Sequence, residues 1–244
     1  MAAAQDAGLG TAVPSCPEWC VRDLLAHMGG VHRWATSYIE TGRSGEVSDE
    51  EEREYFAAPS HDELLVWSRD AYQRLVAALG SADAGLQCWT FLPAPTPLAF
   101  WARRQAHETT VHAVDAQLAA GRVPVPFPVG FAVDGIDELV NGFFARPGRG
   151  PRCESPASLG VVATDVAEGG RWVVQYGSDG VVHPGREQVR HCELAGPAWD
   201  LYLLLWNRAG LGAMALPDLS DRVRAEGGRD IFDLWQSKAR IKWA

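Results

Sequence analysis

The chain has 244 residues, 47% of them hydrophobic, enough to bury one large core or two modest ones. Against 31 acidic side chains stand only 22 basic ones, a net charge of -9 that argues against a nucleic-acid backbone as partner. No apolar run approaches the ~20 residues of a membrane span, and the opening MAAAQDAGLG has no basic region leading into an apolar core, so neither a span nor a secretory signal is expected.

Residues 1 to 15 read as a mobile lead-in, with at most a helical turn or two over Ala2 to Gly8. Cys16-Pro17-Glu18-Trp19-Cys20 has one residue too many between its cysteines for the usual reactive pair. It reads better as a docking loop, with Trp19 plugging the end of a helical bundle. All five cysteines, odd in number and irregularly spaced, fit a reducing cytoplasm.

The stretch from Val21 to Glu40 follows helical spacing: Leu24, His27, Val31, Trp34 and Tyr38 share one apolar face. His32, five residues from His27, points elsewhere. Gly29-Gly30 costs a helix roughly 1 kcal/mol per glycine against alanine, so the pair implies close backbone approach or a local kink beside His27. Gly42 to Pro59 is acidic and polar and reads as a solvated loop or an exposed helix start. Ser60 and Glu63 form a capping-box pattern that opens a helix running to about Leu79. Its inward face carries Leu64, Trp67, Ala71, Leu75 and Leu79. His61, near that start, reads as a surface residue. Gly85 to Pro97 is an irregular, proline-stiffened loop with Trp89 and Phe91, suited to packing or to lining a pocket.

From Leu98 to Ala120 there is neither glycine nor proline; Pro97 precedes the run and Gly121 follows it, which predicts a helix of about six turns. Arg104, Glu108, His112 and Asp115 stack along one stripe of it. A carboxylate four residues before an imidazole, on one face, is a two-point grip for a metal ion. The stretch is not the HExxH motif, because His107 and His112 lie five apart and so point about 140° from each other. A third ligand must come from elsewhere, and His27 is the obvious donor. His27, Glu108 and His112 then make a two-histidine, one-carboxylate site between helices, with room for water or substrate. The alternative is a hydrogen-bonded core histidine at position 27 and a Glu108 that pairs with Arg104. Asp115 could orient an imidazole, and Arg104 could steady the Glu108 carboxylate.

Pro124, Pro126 and Pro128 mark an extended connection. A further helix spans Val129 to Phe144, and Arg146 to Pro151 reads as a linker, dividing the chain into a helical domain of residues 1–148 and a second domain of 149–244. Beyond it the period changes. Ser158 to Thr164 and Arg171 to Tyr176 read as strands, Gly177 to Gly180 as a turn, and Val181 to His183 and Gln188 to Leu194 as further strands. His183 and His191 fall in this sheet as surface or edge residues. A helix from Pro197 through Arg208 is apolar nearly all round and so buried, and a last helix covers Asp230 to Arg240. A sheet followed by helices makes the second part an α+β module. There is no G-x-G-x-x-G, P-loop or G-x-S-x-G, so dinucleotide, nucleotide and serine-hydrolase chemistry lack their usual signatures.

Three blocks, VPSCPEWCVRDLLAHMGGVHRW, RRQAHETTVHAVDA and GPAWDLYLLLWNRAG, occur in this order between Val13 and Gly210. Together they resemble the mycothiol-dependent maleylpyruvate isomerase family, one of the DinB-like metal-binding four-helix bundles. The resemblance implies an α+β protein: an up-and-down helix bundle followed by a small C-terminal domain of sheet and helices. It implies a divalent metal, usually zinc, on the histidine of LLAH and the Glu and His of ExxxH, here His27, Glu108 and His112. It implies mycothiol as thiol cosubstrate, and an arginine in LLWNR, here Arg208, that reaches toward the site and binds a substrate carboxylate. The expected activity is isomerisation of an electrophilic unsaturated small molecule, or transfer of the thiol sulfur to it. A metal-dependent hydrolase and a non-catalytic binding module are the rival classes. Where the family usually has a full first helix, this chain has a short one, which points to a shortened bundle or to completion by a second protomer in a homodimer.

Overall fold

The computed structural model describes the chain apart from residues 147–149, 155, 179–182, 185–189, 213–215, 240 and 242–244, and apart from the side chains of 183 and 184. It divides into two compact units, Met1–Pro124 and Val125–Ala244. The division falls before the helix at Val129, not at the Arg146–Pro151 linker expected from composition. That helix belongs with the second unit because it packs on a helix of that unit.

The first unit contains helix α1 (Ala2–Ala7), a small hairpin of β1 (Ala12–Val13) and β2 (Cys16–Cys20), and helices α2 (Val21–Thr41), α3 (Asp49–Tyr55), α4 (Leu64–Ser81) and α5 (Pro97–Ala119). The helix ends follow local chemistry. The Cys20 backbone N–H donates to the Asp23 carboxylate at 2.9 Å at the start of α2, and Gly42 closes that helix with φ 65. Thr96 caps α5 with Pro97 in its first turn, and the Ala99 N–H donates to the Thr96 hydroxyl at 3.1 Å.

Helix α2 packs against both α4 and α5. The end of the unit around Trp34 is filled by rings: Tyr38 stacks on Trp101 at 5.1 Å, and Trp89 and Phe91 from the irregular loop join them. Trp101 is fully buried, and its indole N–H donates to the Trp89 carbonyl at 3.1 Å. Burying a ring of this size removes roughly 200 Å² from water, about 5 kcal/mol of transfer free energy. The loop therefore serves packing here.

Several details depart from expectation. The first fifteen residues are not a loose lead-in: Ala4 is 1% exposed, Val13 is fully buried, and α1 packs on α5. The bundle thus has three long helices and one of six residues. Of the two readings of the acidic stretch after Gly42, a solvated loop or an exposed helix start, the second holds at α3, begun by a Ser48–Glu51 capping box. Helix α4 starts at Leu64 instead of at Ser60; residues 60 to 63 form a turn before it. Gly29 and Gly30 do mark close approach. A Cβ on Gly29 would lie 2.0 Å from the Trp67 ring, and one on Gly30 would lie 2.4 Å from the Phe56 ring.

Helix α5 is buried on nearly every side, including Arg104, Gln105, His107, Glu108, Thr110, His112 and Asp115. A one-stripe description understates this. So many polar groups out of water must find partners within the fold.

The second unit begins with α6 (Val129–Asp137), which continues as a π turn over Glu138–Phe143. Its sheet runs β5-β4-β3-β6-β7, from strands β3 (Ala157–Ala163), β4 (Arg171–Tyr176), β5 (His183–Pro184), β6 (Cys192–Gly196) and β7 (Arg224–Gly227). The central β3 pairs antiparallel with β4 and parallel with β6, and β6 pairs antiparallel with β7. Every residue of β3 is buried. Helices α7 (Ala198–Leu205) and α8 (Arg229–Lys238) pack on the sheet. Strand β7 is absent from the sequence expectation because RAEG lacks any apolar alternation. The expected turn residues Asp179-Gly180, the strand start Val181-Val182, and Arg240 lie outside the described residues. Helix α7 stops at Leu205, where Asn207 turns the backbone with φ 58, so Arg208 lies past the helix and not in it.

Candidate metal centre

The site is built on α5 and α2. Along α5, the stripe expected from spacing forms one continuous chain of contacts. Arg104 Nη2 donates to Glu108 Oε2 at 2.8 Å, Glu108 Oε1 faces His112 Nε2 at 3.3 Å, and His112 Nδ1 lies 2.8 Å from Asp115 Oδ2. From α2, His27 Nε2 reaches the same Glu108 Oε1 at 3.1 Å. Both imidazoles thus aim their Nε2 atoms at one carboxylate oxygen. Among the described residues, His27, Glu108 and His112 are the group whose ligand atoms all lie within 4.8 Å of one another. A tetrahedral ion bonded at about 2.1 Å would separate its ligand atoms by about 3.4 Å. The two nitrogen–oxygen separations to Glu108 Oε1, 3.1 and 3.3 Å, are close to that.

The charges are arranged to match. Burial alone would raise the Glu108 carboxyl, but Arg104 and hydrogen bonds from His112 and His27 hold it well below the usual carboxylate range. Burial lowers His27, and the contact with Glu108 only partly offsets it. Burial also opposes a charge on His112, yet hydrogen bonds to Asp115 and Glu108 raise it. The two imidazoles repel each other's charge, and His112, which faces two carboxylates, is the one whose pKa is raised. With Nδ1–H donated to Asp115, the Nε2 lone pair of His112 becomes available to a metal.

Aromatic rings close around the set. Trp19 lies 5.0 Å from His27 and stacks on His112 at 5.9 Å, and Phe56 lies 6.1 Å from His27. Phe56 reaches this position because it ends α3 and seats on Gly30. Phe56 is a site neighbour that the sequence did not disclose. Its only local signal was the Ser48–Glu51 cap, which places a helix where composition suggested a solvated loop or an exposed helix start.

Three other histidines stand apart. His107 is 1% exposed and lies outside the ligand group, as its angle on the helix requires. His32 Nε2 lies 3.1 Å from the Thr109 hydroxyl, and burial pulls its pKa down to about 4. His191 Nδ1 lies 2.9 Å from the Ser158 hydroxyl in the second unit. Arg208 is also in the second unit, where its Nη1 donates to the Trp206 carbonyl at 2.6 Å.

Two imidazoles and one ionised carboxylate, gathered between helices of a short-armed bundle and followed in the chain by an α+β unit, define a bundle protein with a candidate metal centre. Residues 1–117 match the family model described as "Mycothiol maleylpyruvate isomerase N-terminal domain", and residues 130–230 match "MDMPI C-terminal domain". The chain belongs to the mycothiol-dependent maleylpyruvate isomerase family, a family of enzymes. Two solved structures share its fold: that of the mycothiol-dependent maleylpyruvate isomerase, with a TM-score of 0.55, and that of a histidine-to-alanine mutant of it, with 0.57. Each is 16% identical over 91% of this chain and 86% of the other. No curated protein sequence matches the chain.

Proposed function

We propose that this protein is a metal-dependent enzyme that uses mycothiol to isomerise an electrophilic, unsaturated small molecule, or to transfer sulfur to it. The observation that carries this is the convergence of His27, Glu108 and His112 on one point, within a family named for that thiol. The donor set of two imidazole nitrogens and one carboxylate oxygen suits zinc. A zinc ion there would keep a coordinated thiol deprotonated near neutral pH and would polarise a carbonyl.

The chain's own residues then have definable tasks. Asp115 holds the tautomer and orientation of His112. Arg104 keeps Glu108 ionised within the core. Trp19 and Phe56 keep bulk water from the imidazoles. Arg208 presents a planar fork to a substrate carboxylate. Addition of the thiol sulfur to an activated double bond, rotation about the resulting single bond and expulsion of sulfur give the geometric isomer; retention of sulfur gives a conjugate. No helix among the described residues is long and apolar enough to cross a membrane. We place the enzyme in the cytoplasm, where its five cysteines, none of them in a disulfide, would remain reduced.

The test has two arms. Protein purified without chelator should carry about one divalent ion per chain, retained in His107→Ala and lost in His27→Ala and His112→Ala. Stoichiometric metal in the latter two would refute the ligand assignment. Conversion of a panel of α,β-unsaturated acids should require mycothiol, and at matched metal loading Arg208→Lys should turn over about tenfold more slowly, a loss of ~1.4 kcal/mol. Conversion without thiol would favour a hydrolase, and equal rates for Arg208→Lys would confine that arginine to a structural role.

A further inference from the structure

Asp115 is completely buried, and besides His112 on its own helix it meets a different part of the chain, the hairpin of β1 and β2. The Ser15 hydroxyl, about a hundred residues away in sequence, donates a hydrogen bond to Asp115 Oδ1. The Cys16 thiol lies 3.9 Å from Asp115 Oδ2, the oxygen that also receives His112 Nδ1. Four residues on, the same hairpin carries Trp19, which stacks on the face of the His112 ring at 5.9 Å. One short element therefore touches the imidazole from two directions, through the carboxylate behind it and through the indole over it.

The hairpin is firmly held. Val13 is fully buried, the Val21 N–H donates to the Thr11 carbonyl at 2.9 Å, and the Arg22 N–H donates to the Leu9 carbonyl at 2.9 Å. A carboxylate that supports a metal-ligating histidine must itself be fixed, since either of its oxygens can swing to face the ring. Ser15 occupies Oδ1, which turns Oδ2 toward His112 Nδ1 and the Cys16 thiol.

We infer that Ser15 is a positioning residue for the metal centre: it fixes Asp115, and through Asp115 the His112 imidazole, so that Nε2 faces Glu108 and His27. The inference rests on the metal reading given above and extends it to a side chain that neither ligates nor touches substrate. Partners one shell removed from a metal typically govern affinity by 10- to 100-fold when lost. Ser15 acts through a second group, so its loss should fall at the lower end, about tenfold.

The experiment is a zinc titration against a chromogenic chelator, using the full chain of the wild type, Ser15→Ala, Ser15→Thr, Asp115→Asn and His27→Ala, with thermal unfolding of each metal-free protein alongside. Ser15→Ala should bind zinc about tenfold more weakly, and Ser15→Thr, which keeps the hydroxyl, should bind within a few fold of wild type. Asp115→Asn should lose at least as much as Ser15→Ala. Wild-type affinity in Ser15→Ala would overturn the inference while leaving the metal centre intact. The same would follow from an equal loss in Ser15→Thr and Ser15→Ala together with an equal fall in metal-free stability, since the role would then be structural. Wild-type affinity in His27→Ala would instead break the underlying metal reading, and the inference with it. Should Ser15→Ala fail to fold, the comparison of Ser15→Thr with Ser15→Cys decides: the thiol donates weakly, and equal affinity in the two would overturn the inference.

Discussion

Replacing Glu108 by glutamine separates the structural from the chemical role of the site, because it keeps size and shape and removes only the charge. Glu108 is 4% exposed and Arg104 is 1% exposed, with Arg104 Nη2 and Glu108 Oε2 2.8 Å apart. Removing one partner of a buried ion pair typically costs about 3–5 kcal/mol, because the other charge is left in a medium that solvates it poorly. The amide of glutamine retains one acceptor oxygen, so the lower figure, about 3 kcal/mol, is expected here. That is a large part of the roughly 5–15 kcal/mol by which a domain is stable. The cost should depend on pH in a definite sense. The folded Glu108 carboxyl lies well below its ordinary value, so its contribution is full above about pH 4.5 and is lost as pH falls through the folded value. Urea unfolding of metal-free wild type and Glu108→Gln at pH 7 measures the difference. Adding Arg104→Met to Glu108→Gln should recover part of the loss, because the stranded cation is gone. A double variant whose loss is the simple sum of the two singles would refute the claim that the pair is energetically coupled.

Two further outcomes follow from the same unit. Gly29→Ala should lower stability by about 1–2 kcal/mol in urea unfolding, because its Cβ would meet the Trp67 ring at 2.0 Å and overpacking outweighs the roughly 1 kcal/mol helix preference for alanine; a net gain would show that the ring simply moves aside. His32, lowered from 6.5 to about 4 by burial, must stay neutral in the fold, so its effect on stability is absent above about pH 6.5 and destabilises as pH falls toward 4, by roughly 3 kcal/mol in all. Metal-free His32→Asn should therefore lose less stability than wild type between pH 7 and pH 4.5, and parallel losses would show that His32 does not carry this dependence.

Much of the site could be read from local periodicity. The spacing of Arg104, Glu108, His112 and Asp115 is a property of any straight helix, so their alignment needed only Pro97 and Gly121 to delimit α5. The inward face of α2, and hence the approach of His27, followed from Leu24, Val31, Trp34 and Tyr38 in the same way. The Gly29-Gly30 pair announced a close approach, since a helix bears that cost only for a packing reason, but not which rings approach. That Trp67 and Phe56 do so, the latter from a helix hidden in an acidic segment, depended on how α3 and α4 lie across α2. Ser15 could not be tied to Asp115 from the sequence, because no periodicity connects residues so far apart. Nor could the burial of His107 and His32, which point away from the ligand group yet lie within a core that surrounds α5 on nearly all sides. Local backbone geometry sets which side chains share a face; only the packing of one element on another decides which of those faces meet, and whether water is left between them.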